Sequence, residues 1–173
     1  KSFEQMKKKS EIKNIKINYL ETNVKAVFDM KWTSEALCNV LDNAIKYSNK
    51  NSIINVSVKD YEMFADIIVE DNGIGISENE IEKIFGRFYR GTNVLEDEGI
   101  GIGLYLAREI IEKQNGYIYV ESVINRGSVF KICMPKWNIS ILLDFRKFFE
   151  RILCYIRCSK KITALELFFC AVK

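Results

Sequence analysis

The chain has 173 residues, of which 48% are apolar and 28% charged, the balance of a globular protein rather than a disordered one. The net charge of +3 is unevenly spread: residues 1–135 carry 18 Lys and Arg against 20 Asp and Glu, and residues 136–173 carry 8 against 3. The main body is therefore not a basic nucleic-acid binder. Histidine is absent, which removes histidine bases, ligands and phosphoacceptors. The five cysteines form no CxxC pair, which points to reduced thiols rather than zinc or a disulfide framework.

No apolar run approaches the ~18–20 residues of a membrane-spanning helix. Lys1 to Lys9 lead into no apolar segment of a secretory signal. Because the chain starts at Lys1, we expect a piece of a longer protein, with residues 1–14 leaving an upstream segment.

Residues 15–19 and 25–28 read as short strands. Thr33 or Ser34 reads as the cap of a helix that runs to about Ser48, with Glu35 in its first turn. Residues 53–59 and 64–70 read as a hairpin. A glycine-rich loop, a short helix over 78–84 and a loop over 86–99 without a clear period follow. A helix over 102–114 stops at Asn115-Gly116, and residues 117–122 and 128–134 form a last hairpin. Strands and helices do not alternate regularly, so a doubly wound parallel sheet is excluded. The expected fold is α/β (α+β): a mixed, mostly antiparallel sheet with helices on one face.

Pro135, the only proline, marks a boundary. Beyond it, Leu142, Phe145, Phe148, Phe149, Ile152 and Ile156 fall on one side of a helical wheel. The tail over 136–173 is expected to be a basic amphipathic helix. It could lie on an anionic membrane, fill a partner's groove, pack on the domain, or carry no evolved function.

Three clusters carry chemistry. On the helix over 34–48, Leu37, Leu41, Ala44 and Ile45 share one face, and Asn39, Asn43, Lys46 and Tyr47 share the other. Packing needs the first face, but nothing in packing needs two amides, an amine and a phenol on the second. Asn oxygens suit Mg²⁺, Lys suits a phosphate, and Tyr has a face for a base. A plain solvated face is the bland alternative. The second cluster is Asp71-Asn72-Gly73-Ile74-Gly75-Ile76. Asp71 alternates in phase with Ala65, Ile67 and Val69, so it points into the buried layer, where a carboxylate needs a partner such as a purine amino group. An Asx-type turn is the bland alternative. The third is Gly99-Ile100-Gly101-Ile102-Gly103-Leu104, at a helix start where free N–H groups suit phosphate. It is neither a Rossmann fingerprint nor a P-loop.

Taken in order, Asn39…Asn43-Ala44-Ile45-Lys46-Tyr47-Ser48, Asp71-Asn72-Gly73-Ile74-Gly75-Ile76, Ile84-Phe85-Gly86-Arg87-Phe88-Tyr89-Arg90 and Gly99-Ile100-Gly101-Ile102-Gly103-Leu104 resemble the N box, first glycine box, F box and second glycine box of the ATP-binding catalytic domain of sensor histidine kinases. Gly127-Ser128-Val129-Phe130 resembles its closing strand. The resemblance covers roughly residues 12–135 and implies the two-layer Bergerat ATP fold over 15–135.

It also implies roles. Asn43 coordinates Mg²⁺ with Asn39 beside it. Lys46 reaches the phosphates, and Tyr47 lines ribose and adenine. Asp71 accepts from the adenine amino group, with Gly73 and Gly75 making room and Ile76 beside them. Phe85 and Phe88 anchor a lid, and Arg87 or Arg90 meets the γ-phosphate. Gly99, Gly101 and Gly103 hinge the lid and cradle phosphate, with Leu104 and Ser128 completing the ATP site. The cofactors implied are ATP and Mg²⁺.

The wider clan includes hydrolases with a Glu base one turn before the metal-binding Asn. Here that position is Asn39, a poor base, so phosphoryl transfer fits better than hydrolysis. The implied acceptor is a histidine on a separate dimerisation hairpin, with a response regulator downstream. Without a histidine, this chain cannot autophosphorylate at one. The expected fragment is monomeric and cytoplasmic, from the intracellular part of a membrane-anchored sensor. The alternatives are a non-catalytic nucleotide-sensing or interaction module on the same fold, and a serine kinase of the anti-sigma-factor type.

Overall fold

Alternation of apolar residues along four strands builds the sheet. In the computed structural model, which describes residues 3–91, 100–136 and 142–144, five strands run in the order β1-β3-β4-β6-β5. They are β1 (Lys16–Tyr19), β3 (Ile53–Asp60), β4 (Phe64–Asp71), β5 (Tyr117–Val123) and β6 (Gly127–Pro135). β1 pairs parallel with β3, and the β3–β4, β4–β6 and β6–β5 pairs are antiparallel. Ile54 and Val56, then Ala65, Ile67 and Val69, then Ile118 and Val120, then Phe130 and Ile132 turn to one side and are buried. Asp71 continues the β4 series onto that side and is itself buried.

Three helices supply the other layer: α1 (Phe3–Lys13), α2 (Met30–Tyr47) and α3 (Gly103–Glu112). Ala36, Leu37, Val40, Leu41, Ala44 and Ile45 of α2 and Ala107, Ile110 and Ile111 of α3 join the strand residues in one core. α1 lays Met6 and Ser10 inward and lies against α2, where Lys9 pairs with Asp42 at 2.6 Å. A mixed, mostly antiparallel sheet with helices on one face is the architecture expected from the sequence. Among the described residues, no helix is long and apolar enough to cross a membrane.

Local details depart from expectation. α2 starts at Met30, capped by Asp29, whose carboxylate accepts from the Trp32 N–H at 3.0 Å. Thr33 and Ser34, the expected caps, spend their hydroxyls inside the fold: Thr33 donates to the Gln114 side-chain oxygen at 3.2 Å, and Ser34 to the Met30 carbonyl. The short helix expected over 78–84 is instead two 3₁₀ turns, Glu78–Glu80 and Lys83–Phe85. Of the helical stripe expected from Leu142 to Ile156, only 142–144 lie among the described residues. There the chain is a strand, β7 (Leu142–Asp144), antiparallel to β2 (Lys25–Val27). β2 offers an open backbone edge outside the main sheet, and a partner strand satisfies it. The remainder of the stripe lies outside the described residues.

Asp29→Ala should cost about 1 kcal/mol of stability, the usual loss for an N-cap, whereas Ser34→Ala should be near neutral. Thermal unfolding of the two variants checks this, and the reverse ranking would relocate the cap.

Candidate functional site

The polar face of α2 forms one wall of a cavity of about 670 Å³, a size suited to a nucleotide-sized ligand. Asn39, Asn43, Lys46 and Tyr47 line it, as the helical spacing requires. The Lys46 ammonium lies 5.0 Å from the Tyr47 ring centroid. Asn39 is only 8% exposed, and its Nδ2 has no hydrogen-bond partner among the described residues. A buried amide left unpaired is costly, and this one borders the cavity.

Asp71, 5% exposed at the end of β4, forms the floor. Burial pushes its carboxyl above the ordinary range, opposed by backbone hydrogen bonds from Gly73 and Ser128. The Gly73 N–H donates to Asp71 Oδ1 at 2.8 Å. The loop after Asp71 is held from both sides. Ile74 N–H donates to the Tyr47 carbonyl, Asn125 N–H to the Ile74 carbonyl, and Ile76 N–H to Ser122 Oγ. Gly75 sits at φ +70°, where an added Cβ would come within 2.1 Å of the Val123 carbonyl oxygen. Only glycine fits there.

The facing wall is built by residues 89–91 and 100–104. Gly101, at φ +73°, would carry a Cβ within 2.6 Å of the Tyr89 carbonyl oxygen. Phe88 N–H donates to the Gly101 carbonyl at 2.9 Å. The two ends of the segment between residues 89 and 101 are thus joined. Tyr89 donates its hydroxyl to Glu80 at 2.9 Å, and burial raises its pKa, with Glu80 adding to the shift.

Asn39, Asn43, Lys46, Tyr47, Asp71, Gly75, Ile76, Arg90, Gly101, Gly103, Leu104 and Ser128 all border this one cavity. Gly73 contributes through its N–H to Asp71. Phe85 and Phe88 do not line it. Phe85, 6% exposed, packs edge-on to Phe130 in the core, whereas Phe88 is 56% exposed with a positive φ of 63°. Of the two arginines, Arg90 borders the cavity, and Arg87 is exposed with its guanidinium 4.8 Å from the Phe88 ring centroid. Gly99 lies outside the described residues.

Sequence reasoning missed Glu35, Asp42, Glu80 and Tyr89, which also line the cavity. Glu35 was within reach, since it precedes Asn39 by one helical turn on the same face. Glu80 and Tyr89 had no local signal, because only the chain's path over the cavity brings them there. The donor set on α2 fits a magnesium ion: neutral amide oxygens from Asn39 and Asn43, with the other positions left to phosphate and water. Rotating the unpaired Asn39 amide presents its oxygen instead of its nitrogen. Among the described residues, no cluster of three or more Cys, Asp or Glu stands ready to hold a metal alone.

Comparison with known proteins gives the family and the fold. Residues 29–138 match the family of histidine kinase-, DNA gyrase B- and HSP90-like ATPases. The sensor histidine kinase YvrG of Bacillus subtilis is 36% identical over 117 residues, which is 67% of this chain and 20% of that protein. The sensor protein kinase WalK of Staphylococcus aureus is 37% identical over 112 residues, 62% of this chain and 27% of its own length. The chain thus spans about a fifth to a quarter of these relatives. Among solved structures, the catalytic domain of histidine kinase ThkA superposes with a TM-score of 0.65 at 28% identity, covering 78% of this chain and 88% of that one. The mycobacterial sensor histidine kinase MprB, at 23% identity, shares the fold with a TM-score of 0.68, over 79% of this chain and 95% of that one.

Burial makes the ionised form of Asp71 costly to the fold. Asp71→Asn should therefore raise the ligand-free thermal midpoint at pH 7. A carboxyl with a raised folded-state pKa stabilises in its protonated form, so the gap should narrow as pH falls through the carboxylate range. Thermal melts at both ends of that range test this, and an unchanged gap would remove Asp71 as its cause.

Proposed function

Because the chain belongs to the histidine kinase-, DNA gyrase B- and HSP90-like ATPase family, we propose that it binds Mg-ATP in this cavity and donates the γ-phosphate to a histidine on a separate dimerisation hairpin. The phosphorylated hairpin would then serve a response regulator in two-component signalling. The observation that carries this reading is the convergence of a buried carboxylate, two amides and an amine on one cavity beneath a glycine-rich helix start.

In this reading Asp71 accepts a hydrogen bond from the adenine amino group. That bond favours the ionised form and offsets the desolvation that burial imposes on Asp71. Tyr47 lines ribose and adenine. Lys46 and Arg90 approach the phosphates, and the N–H groups at the start of α3 lie at the positive end of the helix dipole. Magnesium, held by Asn43 with Asn39 beside it, neutralises phosphate charge when bound. The γ-phosphorus–oxygen bond breaks as the acceptor nitrogen bonds to phosphorus, and ADP leaves.

Transfer is favoured over hydrolysis because the side chain one turn before Asn43 is Asn39, an amide with no basicity to activate water. Glu35 stands a further turn away, about 12 Å along the axis from Asn43. The chain contains no histidine, so the acceptor comes from elsewhere. The same reading puts the domain on the cytoplasmic side, where ATP is.

Calorimetric titration should give micromolar to sub-millimolar ATP affinity, tightened by Mg²⁺. Asp71→Asn should lose about 1–3 kcal/mol of it, the cost of an unsatisfied buried donor. Undiminished affinity would remove the adenine assignment. Asn43→Ala should abolish the tightening by Mg²⁺, and a normal Mg²⁺ response would free Asn43 of that role. With a histidine hairpin supplied in trans, label from γ-phosphate should appear on histidine. Label on serine would favour the anti-sigma-type alternative, and no ATP binding by folded protein would favour the interaction module.

A further inference from the structure

The last turn of α2 carries two of the residues that face the cavity, and its end is closed in an unusual way. A helix leaves its final carbonyls without intrahelical partners, and a glycine in left-handed conformation commonly satisfies them. Here the cap residue is Ser48, in extended conformation at φ −79° and ψ 151°, so no such turn forms. Instead the Lys13 ammonium donates to the carbonyls of Ile45 at 3.1 Å, Lys46 at 2.5 Å and Ser48 at 3.0 Å. The Tyr47 carbonyl accepts from Ile74 N–H of the loop beyond Asp71.

Lys13 is the last residue of α1, more than thirty residues earlier in the chain. The junction is doubled: Asn51 N–H donates to the Lys13 carbonyl at 2.9 Å, and Asn14 Nδ2 to Asn51 Oδ1 at 2.8 Å. A compact ammonium can meet three converging carbonyls, which a planar guanidinium matches less well. It also sits at the negative end of the α2 dipole.

Resting on the ATP-binding reading above, we propose that Lys13 is a positioning residue for the nucleotide site. It fixes the turn that presents Lys46 and Tyr47 to the cavity. Met6 of α1, 4% exposed in the core, supplies the control, since trimming it loosens α1 without removing charge from the end of α2.

The test is ATP titration with Mg²⁺ at a temperature where every variant is folded. Lys13→Met should weaken ATP about five- to tenfold, the effect of roughly one favourable helix-end charge. Lys13→Arg should recover part of the loss. Met6→Ala should lower the thermal midpoint yet leave ATP affinity within about twofold, because a purely structural defect acts on folding rather than on the folded site. Coupling is reciprocal, so in the unmodified protein saturating ATP should slow hydrogen exchange at the Asn51 amide. This readout holds even if Lys13→Met does not fold. Normal ATP affinity in folded Lys13→Met, an equal loss in Met6→Ala, or unchanged exchange at Asn51 would each overturn the proposal while leaving ATP binding intact. Absence of ATP binding in the unmodified protein would overturn both.

Discussion

The site is organised around a carboxylate placed where the strand pattern calls for an aliphatic residue. Asp71 follows Ala65, Ile67 and Val69 on the face of β4 that the helices cover, and it is almost as buried as they are. Desolvating an ionised carboxyl is expensive, and two backbone N–H groups offset only part of that expense. The neighbouring chain is shaped to supply them. Gly73 turns back to donate to Asp71, and the following residues are bonded to α2 on one side and to the β5–β6 turn on the other. A buried charge of this kind is a poor stabiliser of the empty fold and a good acceptor for an amino group that arrives already desolvated.

α2 is the second organising element, and its two faces do different work. Its apolar face packs on the sheet through Leu37, Leu41 and Ile45, all but fully buried. Its polar face leaves Asn39 with an unpaired amide nitrogen beside the cavity. The far end of the same helix is held by Lys13 from α1 and by Ile74 from the loop. The amides, the amine and the carboxylate are therefore positioned by one rigid rod and the strand beneath it, and the floor loop is anchored to both. Opposite them, the Phe88–Gly101 hydrogen bond closes the base of the intervening segment and leaves Arg90 beside the cavity.

Much of this was legible in the chain because helix and strand periods are local properties. Spacing of i, i+4, i+7 and i+8 placed Asn39, Asn43, Lys46 and Tyr47 on one face whatever the helix packs against. Alternation along β4 turned Asp71 inward for the same reason. The hairpins and the stop at Asn115-Gly116 also rest on short-range turn chemistry. The start of α2 did not follow from such rules, because Asp29, Thr33 and Ser34 are all competent caps. Thr33 was diverted by Gln114, 81 positions later.

By itself, then, the sequence determined the strands of the main sheet, the two longer helices, the two faces of α2, the inward carboxylate and the order of motifs that marks the family, since each is written in neighbouring residues. Tertiary structure alone decided which arginine faces the cavity, that Phe85 enters the core while Phe88 stays out, and that Glu35, Asp42, Glu80 and Tyr89 meet around one space. It also decided that Lys13 closes the end of α2. These choices depend on contacts between segments far apart in the chain, and a local pattern carries no information about which distant group will arrive to satisfy an exposed carbonyl or an open wall.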